Sequence, residues 1–118
     1  MPDARTVRGE ILLPASGVAG QVGDVIVVVE DVSRADAPSQ VVAQVRQPRV
    51  ALRDGATLPF AVDVPAGRID PRYSYGVRVH IDTSGSGEVE RGDLVSTQAY
   101  PVLTHGHGAE VRIRVARV

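Results

Sequence analysis

The sequence of 118 residues contains no cysteine, no lysine and no tryptophan. Without cysteine the chain cannot form a disulfide, a thiolate active site, a zinc ribbon or a lipid-modified cysteine of its own. Without lysine, the glycines at positions 17, 20 and 23 cannot belong to a nucleotide-binding P-loop, and they indicate an ordinary loop. No apolar run approaches the roughly 20 residues that a membrane-spanning helix needs.

Aromatic residues are also scarce, and this indicates how the core is built. Phe60, Tyr73, Tyr75 and Tyr100 are the whole set. Valine therefore has to fill most of the interior, and β-branched residues favour strands over helices. No segment carries apolar residues at helical spacing over three turns without a glycine or a proline inside it.

The charges give no sign of a nucleic-acid partner. Thirteen arginines and 14 acidic residues are interleaved along the chain and leave a formal net charge of −1. A nucleic-acid-binding surface normally combines a basic stripe with aromatic stacking platforms, and the sequence has neither. We expect no nucleic-acid partner and no transmembrane segment.

Apolar and polar residues alternate along most of the chain, and this alternation predicts the fold. About seven short strands predict one all-β domain over residues 1–118, an antiparallel β-sandwich of the immunoglobulin or transthyretin kind. Residues 25–29, apolar on both faces, predict a central strand. Residues 7–13 and 111–115 are the predicted edge strands, and the charges of Arg112 and Arg114 favour a monomer over a weak dimer. The other predicted strands are 41–45, 60–64, 73–82 and 94–100.

The strand over residues 73–82 has the clearest alternation. Its odd-numbered residues are apolar or aromatic, so Tyr73 and Tyr75 are both predicted to face the core. Arg78, His80 and Asp82 share the opposite face, which is predicted to be exposed to solvent.

Two segments outside the strands are assigned structural roles. Asp31, Ser33 and Asp36 can each bond nearby backbone N–H groups, and Pro38 extends the residue before it, so this segment is predicted to be a structured crossover between two strands. Asp31 and Asp36 have a binding role as the alternative. The spacing from Pro71 to Tyr75 resembles the start of a late strand in immunoglobulin-like sandwiches, where a tyrosine hydroxyl bonds upstream backbone.

The segment His105-Gly106-His107-Gly108 is the candidate metal site. Two imidazoles two residues apart can share a Cu(II) or Ni(II) ion, whereas a firm zinc site needs a third or fourth ligand. His80 or Glu110 would supply one only if the fold brought it close. The alternative interpretation is a glycine-rich hairpin loop with polar side chains.

Nothing in the sequence indicates catalysis. No serine lies in a Gly-x-Ser-x-Gly elbow, and no base is spaced to activate a nucleophile. The carboxylates Asp63, Asp70 and Asp82 lie beside strand ends, where acids are normally solvated. We therefore expect no enzymatic activity and no cofactor.

Three stretches carry a resemblance to a known family: VVEDVSRADAPS at residues 28–39, LPF at 58–60 leading to RIDP at 68–71 and Tyr75, and YPVLT at 100–104. In this order and spacing they resemble the YbaY/YscW family of small bacterial envelope lipoproteins. The similarity extends over about residues 7–115. The YscW branch acts as a chaperone or pilot for type III secretion secretins, so the resemblance implies an all-β fold and a protein partner in the envelope or the secretion machinery.

Together these observations predict a non-enzymatic protein-interaction or chaperone-like domain that binds an extended segment by strand addition or in a groove. The alternatives are a small-ligand or metal-binding module that uses residues 105–110, and a structural domain that self-associates through an edge strand. If Met1 is the start of the protein, we expect a cytoplasmic location. If a signal peptide has been removed upstream, we expect the cell envelope.

Overall fold

The computed structural model describes residues 4–118, in which eight strands and one 3₁₀ turn follow one another. The 3₁₀ turn, Ala66–Arg68, directly follows the fourth strand. The strands are β1 (Ala4–Leu12), β2 (Val22–Asp31), β3 (Gln40–Ala51), β4 (Thr57–Pro65), β5 (Tyr75–Asp82), β6 (Leu94–Ser96), β7 (Pro101–Val102) and β8 (Glu110–Arg117).

The eight strands form one continuous sheet that is nearly closed. Their order is β3-β2-β5-β6-β8-β1-β4, and β7 pairs with β5 beside β6. β3 and β4, the two ends of this order, lie next to each other in space without pairing along their described residues. The all-β prediction is confirmed, but the strands do not form two clearly separate layers of the immunoglobulin kind.

The prediction of a purely antiparallel arrangement is wrong at one place, because β1 and β8 run parallel. Gly9 lies opposite Val111 in this pair, and a Cβ at residue 9 would overlap the Val111 carbonyl oxygen. The missing side chain therefore lets the last strand lie against the first. Both predicted edge strands become interior ones, since β8 lies between β6 and β1, and β1 lies between β8 and β4.

The core is built from the inward-facing residues of all the long strands. Valine supplies most of it, as the composition predicts, and the predicted central run, residues 25–29, lies in β2 between β3 and β5. The largest fully buried side chains include Tyr75, Ile11, Leu52, Ile81, Leu94 and Ile113. No helix among residues 4–118 is long and apolar enough to span a membrane.

The predicted strand 94–100 is interrupted. β6 pairs with residues 80 and 81 of β5, β7 pairs with residues 75 and 76, and residues 97–100 between them form no strand. Pro101 cannot donate a backbone N–H, which limits the pairing that β7 can make. The interruption matters because it opens the surface beside the middle of β5.

Candidate binding groove

A groove with a volume of about 570 Å³ lies beside the interruption between β6 and β7. One wall comes from Thr97, Gln98, Ala99 and the residues that follow them. The floor comes from residues 75–78 of β5 and from Ser74, which precedes the strand. The end of β2 and the loop after β7 complete the lining. This volume lies in the range of ordinary ligand pockets.

Two hydrogen bonds hold the wall of the groove in place although it does not pair as a strand. The Val77 N–H donates to the Tyr100 carbonyl at 3.0 Å, and the Val79 N–H donates to Ser96 Oγ at 3.0 Å. Tyr100 is buried, and its hydroxyl accepts the Arg114 N–H of β8 at 2.9 Å. The groove is therefore a fixed feature of the fold rather than a gap left by a loose loop.

The charged groups of the groove neutralise one another. Arg78 Nε lies 3.2 Å from Glu30 Oε1, and its terminal nitrogen lies 3.3 Å from Oε2, which also accepts the Ser39 hydroxyl at 2.8 Å. The Glu30 carboxylate is largely buried, whereas the Arg78 side chain is half exposed. Both carboxylate oxygens are already bonded, so Glu30 has little capacity left for a cationic group of a partner.

The segment with the Asp-Val-Ser pattern joins β2 to β3, which pair antiparallel, so it is a hairpin connection rather than a crossover. Asp31 Oδ1 accepts the Ser33 N–H at 2.9 Å and the Ser33 hydroxyl at 2.5 Å. Ser33 Oγ in turn accepts the Ser74 N–H at 2.9 Å, which ties the loop to the start of β5. Asp36 and Pro38 lie exposed in the same loop.

Tyr75 anchors the segment that precedes β5. Its ring is 2% exposed, and its hydroxyl accepts the Asp70 N–H at 2.8 Å and donates to the Arg68 carbonyl at 3.1 Å. Pro71 is the second residue of the turn that begins at Asp70 and is closed by the Tyr73 N–H, 3.0 Å from the Asp70 carbonyl. Proline fits this position because the turn requires the φ that its ring imposes.

The prediction that Tyr73 faces the core is wrong. The strand begins only at Tyr75, and Tyr73 belongs to the preceding turn, so the alternation does not extend to it. The residue is 43% exposed, and the Arg72 guanidinium lies over its ring, 5.7 Å from the ring centre. The contribution of Tyr73 to the fold comes from its backbone, whose carbonyl accepts the Thr104 hydroxyl at 2.5 Å.

His80 and Asp82 were predicted to be solvent-exposed, and this is also wrong, because both are buried. The loop between β5 and β6 folds over them. Asp82 accepts the N–H groups of Gly85 and Gly87 at 2.8 and 2.9 Å, and His80 Nε2 lies 2.8 Å from Asp93 Oδ2. This burial could not be predicted from the residues of the strand, since nothing local shows that a glycine- and serine-rich loop will cover an outer face.

Asp93 is the residue of this cluster that sequence reasoning missed. Burial alone would raise the pKa of Asp93, but hydrogen bonds from His80 and from the N–H groups of Glu90 and Thr83 outweigh burial and lower this pKa to about 2. Among residues 4–118, His80, Asp82 and Asp93 are the one group of three whose ligand atoms could reach a common metal ion. However, their carboxylate oxygens already accept hydrogen bonds from the loop, so the group acts as an anchor for residues 83–93.

His105 and His107 both lie exposed on the loop between β7 and β8 and line the same groove. His105 and Gly106 have positive φ values of 57° and 86°, and the His107 N–H donates to the Thr104 carbonyl at 3.1 Å, which together define a tight two-residue turn. His80 lies in the other cluster, with Asp93. Metal binding by the two exposed histidines stays a prediction.

The model of the type III secretion system lipoprotein chaperone (YscW) family matches residues 2–115. No curated protein matches the chain at a significant level. Among solved structures, the chain is similar to one described as the structure of an alternative pilotin from the type II secretion system of Vibrio cholerae. The two are 22% identical, with a TM-score of 0.77 over 98% of this chain and 97% of that chain, which shows a common fold.

Proposed function

The chain belongs to the type III secretion system lipoprotein chaperone (YscW) family, and we propose that it is a non-enzymatic, chaperone-like protein that binds a secretin of a bacterial secretion system. The observation that carries the proposal is the groove between β6 and β7. It is open to solvent, held on one side by the hydrogen bonds that the Val77 and Val79 N–H groups donate, and lined mainly by apolar and uncharged groups.

The unpaired edges of the sheet are poorer candidates for the partner site. Pro48 lies within β3, and Pro59 and Pro65 lie within β4, so the two edge strands lack several N–H groups that an added strand would need. The Arg68 guanidinium also donates to the Val41 carbonyl of β3, 3.1 Å away. Proline and charged side chains are common means by which natural edge strands avoid pairing with other chains. This argues for the groove over strand addition and over self-association through an edge.

The proposal is tested by co-expressing the full chain, carrying an affinity tag, with the secretin from the same organism. We expect the secretin to co-purify with the chain. Changing Ala99, an exposed residue of the groove wall, to Arg places a charged side chain in the groove and should abolish co-purification. The matched control is Ala61→Arg, since Ala61 is also exposed but lies on β4, a strand that does not line the groove.

Two results separate the parts of the proposal. If the secretin does not co-purify with the unchanged chain, the proposed partner is wrong. If it co-purifies equally with the Ala99→Arg chain, the partner is right and the groove is not its binding site.

A further inference from the structure

Gly76, in the floor of the groove, is a glycine that the fold does not require. Its φ is not in the left-handed region. A Cβ placed there would meet only the Tyr100 carbonyl oxygen at 3.7 Å and a Val32 methyl carbon at 3.9 Å, which are ordinary van der Waals distances. By contrast, Gly9 cannot carry a Cβ at all, because the Val111 carbonyl oxygen fills that space.

A glycine inside a strand lowers stability, because it loses more backbone freedom on folding and packs no side chain. Gly76 pairs with Glu30 of β2 on one side and with Pro101 of β7 on the other, so it is held in the middle of three strands. Neither its backbone conformation nor its neighbours demand a glycine, and the missing side chain leaves space open in the groove. A glycine at such a place is typical of a strand that another group approaches closely.

The chemistry around Gly76 indicates what approaches. The nearest charged groups, Glu30 and Arg78, are bonded to each other, so an uncharged group lying on Gly76 would leave this pair intact. The exposed side chain of Val32, 44% accessible, stands on one side of the glycine and Ala99 lines the wall. Apolar surface of this kind favours an apolar side chain over a polar or charged one.

Two polar residues in the wall of the groove favour a peptide over a lipid chain as its occupant. Thr97 and Gln98 line the groove and are exposed, and their side chains can both donate and accept hydrogen bonds. A peptide offers N–H and C=O groups on either side of each side chain, whereas an acyl chain offers none. The wall is therefore suited to a peptide backbone whose apolar side chain lies against Gly76.

We propose that the groove recognises a peptide segment through one bulky, uncharged apolar side chain that lies against Gly76. This deepens the proposed function and rests on it for the identity of the partner, but the recognition chemistry can be tested without the secretin.

The experiment is a titration of the isotopically labelled full chain, followed by amide chemical shifts, with four small probes. These are N-acetyl-leucine N-methylamide, the corresponding aspartate and lysine compounds, and hexanol. The leucine probe should shift the amide signals of Gly76, Val32 and Ala99 with a dissociation constant in the millimolar range, which is usual for so small a ligand. The charged probes and hexanol should bind at least about tenfold more weakly.

Gly76→Leu is the decisive variant, because its own side chain occupies the space and should remove the shifts caused by the leucine probe. Ala61→Leu adds a comparable side chain to the exposed face of β4 and should leave these shifts unchanged. Gly76→Ala, which meets only ordinary contacts, keeps the result interpretable if the leucine variant does not fold.

Equal binding of the charged probes, undiminished binding to Gly76→Leu, or shifts confined to other parts of the sheet would each overturn the proposal. Tighter binding of hexanol than of the leucine probe would overturn it in favour of a lipid chain. Failure of the secretin to co-purify, with the leucine probe binding as expected, would refute the partner and leave the recognition chemistry standing.

Discussion

Replacing Tyr75 by phenylalanine removes one oxygen atom and keeps the buried ring. The hydroxyl makes two hydrogen bonds, one from the Asp70 N–H at 2.8 Å and one to the Arg68 carbonyl at 3.1 Å. Each is expected to contribute about 1 kcal/mol net, so the free energy of unfolding should fall by about 2 kcal/mol. In a domain of this size that corresponds to a decrease in Tm of about 8 °C.

The assay is urea unfolding of the two proteins, with the slope of the transition compared as well as the midpoint. We expect a lower midpoint at an unchanged slope, since the variant loses a local contact and not compactness. Tyr73→Phe is the matched control, because that ring is 43% exposed and its hydroxyl bonds to no described residue, and it should change the stability by less than about 0.5 kcal/mol. Equal stability of Tyr75→Phe and the unchanged chain would refute the claim that this hydroxyl fastens residues 68–75.

Two further predictions concern the sheet and the loop over His80. Gly9→Ala should lower the free energy of unfolding by about 3 kcal/mol or more, because the new Cβ overlaps the Val111 carbonyl and must force β8 away from β1. Gly108→Ala is the control in the same urea assay. It should have little effect, because the space around residue 108 is open. The folded state lowers the pKa of Asp93 to about 2. The ionised carboxylate therefore contributes its full stabilisation above about pH 4. As the pH falls towards 2, the free energy of unfolding should decrease by about 2 kcal/mol. Asp93→Asn should be less stable at pH 7, and its stability should fall less between pH 6 and pH 2 than that of the unchanged chain. An equal fall in stability over this pH range would contradict the low pKa of Asp93.

The interior could be predicted well from the sequence because it depends on local alternation. Val25, Val27 and Val29 of β2 and Val77, Val79 and Ile81 of β5 all face the core, as the period of two requires. The pattern failed where a turn replaced the expected strand. Tyr73 is in phase with the core residues of β5, but the chain reverses at Asp70–Tyr73, and a side chain in a turn does not follow the strand period.

The burial of His80 and Asp82 on the outer face of β5 could not be predicted for a different reason. Polar residues that alternate with apolar ones are normally exposed, yet His80 and Asp82 are covered by residues 83–93. The buried His80 is satisfied by Asp93, 13 positions later in the chain, and the buried Asp82 by the N–H groups of Gly85 and Gly87. A satisfied polar cluster of this kind depends on how a loop closes, and loop closure is not visible in the residues of the strand.

The valine-rich strands could be predicted from the residues alone, because side-chain alternation and β-branching act over a few neighbouring positions. Which strands are edges could not be predicted in this way, because it depends on the parallel contact between β1 and β8. These strands are about 100 residues apart in the sequence, and Gly9 permits the contact. The groove likewise depends on contacts between residues that are distant in the sequence. It exists where residues 97–100 leave the side of β5, and its open floor is Gly76, a position whose meaning appears only when the surrounding strands are in place.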